Sequence, residues 1–416
     1  MKIVFVNNQY QLGGAETVMH QLLRGAALAG HETSLYVALG KTYPPDVIPL
    51  YPRLLSLLEH SRLNGLIKSL FPRFKWTDRN FRRLADGPAD VIHVHNFHGT
   101  YATTPSMAFL AARKPVVWTF HAFWGMTGGC DHPKDCFRYQ ATCGSCPQVG
   151  QWPVGPVDHT REEMLRKIEL LAPAPLTIVA PSRHLAAKVR ESQVGKNWDI
   201  QVIPNGVDPA RFGYKRKRDA AFRRSLGLDS AALVVLSVNR NFQDSQKGHG
   251  MVEEALCSAS LPGVQVVLAG QNADWAAARL PATLRTVNAG YVSTQEKLAA
   301  LYEAADIFLF ASPAENFPCV ILEAMSARCC VVATPTSGVN EQILDGRTGF
   351  MAREIEGKAL GEVLQGTVAR PDEVAAAGVA AREQVEKEFS EQVMVDRHLA
   401  LYERVVEKAR DVRRPH

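Results

Sequence analysis

Residues 308–325 read FLFASPAENFPCVILEAM, and this stretch decides the predicted fold. The apolar run 306–310 predicts a short buried strand. Pro318 suits the first position of the helix that follows, because its missing N–H is not needed there. We therefore expect Glu315 in the loop at the carboxyl end of the strand and Glu323 inside the helix. Ligands of open parallel α/β sheets bind at that edge, which favours two ligand-binding carboxylates over two solvated helix charges.

Strands and helices alternate along the rest of the chain. Residues 3–6 form a predicted strand, Gly13-Gly14-Ala15-Glu16 opens a helix that ends near Gly30, and 33–37 returns as a strand. Such units predict a parallel, doubly wound sheet. Further strands are predicted at 91–95, 116–120, 177–180, 201–203, 233–238, 264–269, 307–310 and 330–333. The chain turns basic at 215–218, after Pro204-Asn205-Gly206, and we interpret this change as marking a joint between two domains near residue 205.

Composition limits the class of protein. The 416 residues are too many for one ordinary core, and 46% hydrophobic with 21% charged residues is typical of globular proteins. No apolar run approaches a membrane span, and the apolar start is too short for a signal peptide, so we expect a cytoplasmic protein. The net charge of +5 gives no reason to expect a nucleic-acid partner.

The segment 51–83 is locally basic. Eight Lys and Arg residues stand there against Glu59 and Asp78, interleaved with leucines and aromatic residues. This pattern predicts an interfacial helix that makes peripheral contact with anionic lipid on the inner face of the plasma membrane. The alternative is an ordinary surface helix with its apolar face in the core.

The 308–325 stretch resembles the donor-binding signature of retaining glycosyltransferases of family 4. That signature has Glu-Gly-Phe-Pro followed by a second Glu-Ala-Met, and Asn316 stands here in place of the glycine. The resemblance implies the GT-B fold, in which two Rossmann-like, doubly wound parallel-sheet domains face a central cleft. The implied domains are 1–204 on the acceptor side, 205–389 for the nucleotide sugar, and a helix over 390–416 that returns to the first domain.

The resemblance also implies roles for individual residues. Arg240 and Lys247 would hold the donor phosphates, since fixed cations in a dry cleft stabilise leaving-group charge. Glu315 would contact the sugar hydroxyls and Glu323 the ribose. Donor contacts are also expected from the loop and helix start, Asn316, Phe317, Pro318 and Cys319. In the first domain, Gly14 would face the sugar and the acceptor, with Glu16 an ordinary first-turn helix charge.

Histidines follow two of the predicted strands. His121 matches a family histidine that contacts the donor sugar, although the usual Asp after it is Ala122 here. For His93, His95 and His98 we favour packed or surface roles over a metal site. The chain has no Asp-x-Asp pair, so phosphate neutralisation is expected to use side chains and catalysis to need no cofactor.

Four cysteines cluster at Cys130, Cys136, Cys143 and Cys146, within an insert over 124–150. Four thiolates would close a tetrahedral structural zinc site. Two disulfides are the alternative, disfavoured in a reducing compartment, and unliganded thiols come third. The insert is similar to that of bacterial exopolysaccharide transferases, including proteins like colanic-acid fucosyltransferases.

The resemblance therefore implies an enzyme of bacterial surface polysaccharide synthesis. It would move a sugar from a GDP- or UDP-linked donor to a glycan or lipid-linked oligosaccharide acceptor. Two alternatives stay open: a nucleotide-sugar epimerase of the same fold, and a catalytically silent carbohydrate-binding protein.

Overall fold

The computed structural model describes residues 1–10, 13–39, 44–50, 74–97, 102–217, 219–244 and 247–413. The chain divides into two compact units. Unit 1 comprises Met1–Pro204 together with Met394–His416, and unit 2 comprises Asn205–Val393. The basic residues of 215–218 that the structure describes lie inside unit 2. Lys217 donates hydrogen bonds from Nζ to the carbonyls of Ala305 and Ala327, at the ends of two helices. The boundary between the units falls between Pro204 and Asn205, and the basic run that follows it is part of unit 2.

Unit 1 contains a seven-stranded sheet in which every strand pairing is parallel, in the order β3-β2-β1-β4-β5-β6-β7. Its strands are β1 (Lys2–Gln9), β2 (Glu32–Leu39), β3 (Ile48–Pro49), β4 (Val91–Val94), β5 (Val116–Thr119), β6 (Leu176–Ala180) and β7 (Asp199–Val202). Its helices are α1 (Gly14–Leu28), α2 (Phe74–Asp86), α3 (Thr104–Ala111), α4 (Thr160–Leu170) and α5 (Arg183–Glu191). The strands β4, β5 and β6 are buried along their whole length, as expected for a parallel sheet covered on both faces.

The described chain ends in a long helix, α14 (Glu391–Arg413), most of which belongs to unit 1. Val395 of this helix packs so closely on Gly25 of α1 that a Cβ at Gly25 would overlap it. The Tyr402 hydroxyl lies 2.6 Å from Nδ1 of His93 in β4. A side chain from the end of the chain is thus bonded within the core of the first unit.

Unit 2 contains a six-stranded parallel sheet in the order β10-β9-β8-β11-β12-β13. Its strands are β8 (Leu233–Asn241), β9 (Val264–Gln271), β10 (Arg285–Gly290), β11 (Ile307–Phe310), β12 (Cys330–Ala333) and β13 (Gly349–Met351). Its helices are α6 (Ala220–Ser225), α7 (His249–Ser258), α8 (Ala273–Ala277), α9 (Gln295–Ala304), α10 (Cys319–Ser326), α11 (Val339–Gln342), α12 (Gly357–Val368) and α13 (Pro371–Gln384).

Each face of the second sheet has its own hydrophobic core. Phe308 and Leu309, neighbours in β11, belong to different core clusters, as the alternation of side chains along a strand requires. The buried ion pair Arg223–Asp306, with 2.7 Å between Nη2 and Oδ2, ties α6 to the residue before β11. The two predicted parallel sheets are confirmed. Three short or edge strands, β3, β10 and β13, were not predicted.

Most of the basic segment 51–83 lies outside the described residues, so its predicted membrane contact stays a prediction. In the part of the chain that the structure describes, no helix combines the length and apolar character needed to cross a bilayer.

Candidate functional site

Both sheets reverse their winding direction at a topological switch point, between β1 and β4 in unit 1 and between β8 and β11 in unit 2. The carboxyl ends of the strands at such a point form the crevice where open α/β sheets bind ligands. Arg240 lies near the end of β8, and Glu315 follows β11. The sequence-predicted donor residues of unit 2 therefore converge on its switch point.

Two glycines bring the loops of this edge into close contact. Gly248 adopts a positive φ of 68°, and a Cβ there would overlap the carbonyl of Ala311. Its close approach carries the preceding Lys247 toward the end of β11. A Cβ at Gly338, in the loop after β12, would likewise overlap the carbonyl of Asn316. The loop that carries Glu315 is thus held from both sides by backbone that tolerates no larger residue.

Lys247 and Glu315 form an ion pair, with 3.3 Å between Nζ and Oε1. The same carboxylate oxygen accepts a hydrogen bond of 3.4 Å from the Ser312 hydroxyl. The Lys247 side chain is 48% exposed, so this pair holds little free energy and Lys247 can turn to another anion. Arg240 is exposed and has no ion-pair partner among the residues that the structure describes.

The helix α10 begins at Cys319, and Pro318 is its N-cap. The sequence analysis had predicted Pro318 as the first residue of the helix, so the helix begins one residue later than predicted. Asn316 and Phe317 are buried, and the Phe317 carbonyl accepts a 2.8 Å hydrogen bond from Nδ2 of Asn205. The carbonyl of Pro318 accepts another from Nε2 of Gln342 at 3.0 Å. These bonds fix the N-terminal end of α10, whose free amides and dipole favour anions.

Glu323 lies in the second turn of α10, as predicted. The residue is partly exposed, its Oε2 atom is buried, and its carboxylate interacts with the buried hydroxyl of Tyr302. Burial raises the pKa of Glu323 to about 7. A carboxylate has about four acceptor sites, so Glu323 can accept from Tyr302 and still bind the hydroxyl donors of a ligand.

In unit 1, Gly14 begins α1 directly after the β1 loop, and Glu16 organises that loop. Glu16 is only 6% exposed. Its Oε1 accepts hydrogen bonds from Nδ2 of Asn96 at 2.9 Å and of Asn7 at 3.3 Å, and its Oε2 accepts one from the Gly13 amide at 2.9 Å. Our interpretation of Glu16 as an ordinary first-turn charge was therefore incomplete: it joins the glycine loop to the ends of β1 and β4.

His121 follows β5 and belongs to a cluster of imidazoles. Its Nε2 lies 2.9 Å from Nδ1 of His95, and His93 and His398 complete the cluster. Although His121 as a whole is partly exposed, burial of its ring and, second, the nearby His398 lower its pKa to about 4. The packed role predicted for His93 and His95 agrees with their complete burial, while His98 lies outside the described residues.

The cysteine-rich insert gives no support to the zinc hypothesis. Cys130, Cys136, Cys143 and Cys146 line one small cavity as free thiols. Cys143 Sγ accepts a hydrogen bond from the Gly128 amide at 3.3 Å, so this sulfur is turned toward backbone. Among the described residues, which include all four cysteines, no three His, Cys, Asp or Glu side chains are placed to hold a metal ion.

What anchors the insert instead is Lys167 of α4, which the sequence analysis did not single out. Its Nζ donates to the carbonyls of Trp124 at 2.6 Å and Thr127 at 2.9 Å, and lies 3.4 Å from the centre of the Trp124 ring. Burial lowers the pKa of this fully buried lysine to about 7. No local sequence signal marks it, because its partners are 40 and 43 residues away.

Comparison with known proteins agrees with this architecture. Residues 12–211 match the model of Glycosyltransferase Family 4, and residues 232–367 match that of Glycosyl transferases group 1. WcaC of Escherichia coli (strain K12), whose name gives it a provisional role as a colanic acid biosynthesis glycosyl transferase, is 24% identical over 359 residues, covering 82% of this chain and 85% of WcaC.

Solved structures share the whole fold. Sucrose-phosphate synthase from Thermosynechococcus elongatus superposes with a TM-score of 0.73 at 19% identity, covering 98% of this chain and 99% of that one. Anabaena Alr3699/HepE in complex with UDP-glucose gives a TM-score of 0.66 at 18% identity, over 99% and 100% of the two chains. The chain is therefore a glycosyltransferase of the GT-B fold, with an N-terminal domain of family 4 and a C-terminal domain of group 1.

Proposed function

We propose that this glycosyltransferase moves a sugar, with retention of anomeric configuration, from a nucleotide-diphosphate donor to a glycan or lipid-linked oligosaccharide acceptor in bacterial surface polysaccharide synthesis. One observation carries the donor half of the proposal. Arg240, Lys247 and Glu315 lie at the carboxyl edge of one sheet: Arg240 is near the end of β8, Lys247 follows β8, and Glu315 follows β11, the two strands that flank the switch point.

The donor diphosphate would bind at Arg240, Lys247 and the N-terminal end of α10. The departing phosphate gains charge during transfer, and cations fixed beside it lower the barrier. Lys247 is already placed by Gly248 and is held by one partly exposed ion pair, which a phosphate displaces at small cost. Charge neutralisation by these side chains is the basis for proposing catalysis without a divalent metal.

The two carboxylates would bind the two sugar groups of the donor. Glu315, freed from Lys247 by the phosphate, accepts hydrogen bonds from the transferred sugar. Glu323 offers its buried Oε2 to the ribose hydroxyls. Asn316, Phe317, Pro318 and Cys319 shape the backbone around them. In unit 1, His121 and Gly14 would serve the transferred sugar and the acceptor.

The donor class is proposed as UDP- or GDP-linked. The Anabaena neighbour binds UDP-glucose, which supports a nucleotide sugar, and the WcaC name supports the polysaccharide context. We propose that the enzyme works on the cytoplasmic side of the membrane, where nucleotide sugars are made. Its contact with anionic lipid rests on the sequence pattern of 51–83 alone.

A donor screen followed by a transfer assay tests the proposal. GDP, UDP, ADP and dTDP are compared by thermal shift, because a ligand that binds only the folded protein raises its melting temperature. The matching radiolabelled nucleotide sugars are then incubated with membrane extracts that supply glycan acceptors, with and without EDTA. We expect labelled glycan in both conditions, little or none with Glu315→Gln, and normal transfer with Glu362→Gln, an exposed control on α12.

Each alternative function has its own signature in these assays. Epimerised nucleotide sugar formed without acceptor would indicate an epimerase. Tight nucleotide binding with no product in any acceptor mixture would indicate a binding protein. Loss of transfer with EDTA would contradict the metal-independent mechanism alone.

A further inference from the structure

The histidine cluster of unit 1 is buried and unusually dense. His93 and His95 are fully buried, and His398 is 2% exposed. The ring centres of His93 and His95 lie 4.1 Å apart, and those of His95 and His121 lie 5.2 Å apart. The titratable groups that face His95 are His20, His93, His121 and His398. Within this cluster, His95 is the residue that contacts the ring of His121.

The hydrogen-bond pattern restricts where the protons are. A neutral imidazole has one N–H donor and one bare acceptor nitrogen. The Nδ1 of His398 lies 2.8 Å from the Met394 carbonyl, which can only accept, so His398 carries its proton on Nδ1. Its Nε2 is then a bare acceptor, buried and without a partner among the described residues. The cluster therefore already contains one buried, bare Nε2.

His95 shows the same pattern. Its Nε2 is buried and has no hydrogen-bond partner in the described part of the chain, while its Nδ1 faces Nε2 of His121. A proton on Nε2 would leave a buried N–H unpaired, which is rarer in folded proteins than an unpaired acceptor. The proton of His95 therefore lies on Nδ1. The neighbouring His93 imposes no opposite choice, because its two nitrogens face hydroxyls of Tyr402 and Thr119, which can donate or accept.

We propose that His95 is a positioning residue: it donates from Nδ1 to Nε2 of His121 and so holds His121 as the tautomer with its proton on Nδ1. The positioning role rests on the proposed function of His121 at the transferred sugar. In this tautomer, His121 presents an N–H donor at Nδ1, the polarity that suits a sugar or phosphate oxygen. Burial lowers the pKa of both His95 and His121, that of His121 to about 4, so both rings are neutral at physiological pH.

The first test measures the tautomer without any activity assay. In full-length protein labelled with ¹⁵N-histidine, long-range ¹H–¹⁵N correlation spectra separate protonated from bare ring nitrogens. We expect His121 to show a protonated Nδ1 and a bare Nε2 from pH 6 to 8, with the signal assigned by its loss in His121→Asn. A protonated Nε2 on His121 would overturn the proposal.

The second test replaces His95 with Asn or Gln, whose side-chain amides stand at different distances from the backbone. An Asn side chain places its N–H where Nδ1 of histidine stands, whereas Gln places it near Nε2. His95→Asn is expected to keep the His121 tautomer and to transfer sugar within about threefold of wild type. His95→Gln is expected to lose the tautomer and to lower kcat about tenfold, the factor of one ordinary hydrogen bond, with KM for the donor little changed.

A matched control uses the same substitution elsewhere in the cluster. His398→Asn keeps the bond to Met394, and His398→Gln breaks it, but neither contacts His121 through a hydrogen bond. Both should leave the His121 tautomer unchanged. Equal losses in His95→Asn and His95→Gln would overturn the positioning role. Should His121→Ala, which removes the Nδ1 donor, transfer sugar at the wild-type rate, the proposed role of His121 fails even when the tautomer is as expected.

Discussion

Nζ of Lys247 lies 3.3 Å from Oε1 of Glu315 across the switch point of the unit 2 sheet. Each group is the ion-pair partner of the other, but we propose a different ligand for each. Lys247 would bind the donor phosphate, and Glu315 would bind the transferred sugar. Exposed pairs contribute only about 0–1 kcal/mol to stability, so the proposed contribution of these two residues to ligand binding can be measured apart from their effect on the fold.

Lys247→Met should therefore weaken nucleotide binding far more than it weakens the fold. We expect the Kd for the nucleoside diphosphate to rise about tenfold or more, since charge-assisted hydrogen bonds contribute about 1.5–3 kcal/mol. The melting temperature of the unliganded protein should change little. Calorimetric titration and thermal unfolding measure the two effects, with Lys358→Met on α12 as the exposed control. A large fall in melting temperature with unchanged Kd would make the pair structural.

The raised pKa of Glu323 predicts a pH dependence of nucleotide binding. Ribose hydroxyls donate to the ionised carboxylate, so binding requires the deprotonated form, which is lost as the pH falls through about 7. The Kd should be constant above pH 8 and rise toward tenfold per unit below pH 6. Glu323→Gln should bind more weakly at pH 8 and show no such change. A wild-type Kd that is flat from pH 8 to 5.5 would contradict the ribose assignment.

Glu16 is predicted to hold the glycine loop in shape. Replacing it with Ala removes the acceptor of Asn96 and Gly13 and one of the two acceptors of Asn7, and we expect a loss of about 1–3 kcal/mol in the free energy of unfolding. Urea denaturation measures this, and Glu32→Ala, an exposed residue of β2, is the control. The free energy of unfolding of Glu16→Gln should lie between those of wild type and Glu16→Ala, because the amide oxygen of Gln still accepts a hydrogen bond. An unchanged midpoint in Glu16→Ala would show that the network contributes nothing.

Lys167 predicts an unusual dependence of stability on pH. Its pKa is lowered to about 7 in the folded state against an ordinary value of 10.5, so between these values the unfolded chain binds more protons and stability rises with pH. Lys167→Met removes this contribution. The melting temperature of wild type minus that of Lys167→Met should grow from pH 7 to 9. A constant difference over that range would mean that Lys167 is protonated in the folded protein throughout.

The parallel sheets, the loop position of Glu315 and the helical position of Glu323 were predictable because each rests on a local pattern of apolar residues and turns. Glu16 and Lys167 were not, since what buries them comes from elsewhere: Asn96 is 80 positions from Glu16, and the carbonyls that Lys167 holds belong to the insert. The zinc hypothesis gained no support from the structure for a related reason. The spacing of the cysteines shows that their thiols are close in sequence. It does not show the direction in which the folded backbone points each sulfur.

The bond between Tyr402 and His93 has a consequence for synthesis of the protein. The ribosome makes β4 early, but the hydroxyl that His93 meets is encoded only after all of unit 2. The first unit can therefore form this contact only after the whole second unit has been translated. Nascent chains released before that point would keep an unfinished histidine core, so shortened translation products should be poor substitutes for the full enzyme.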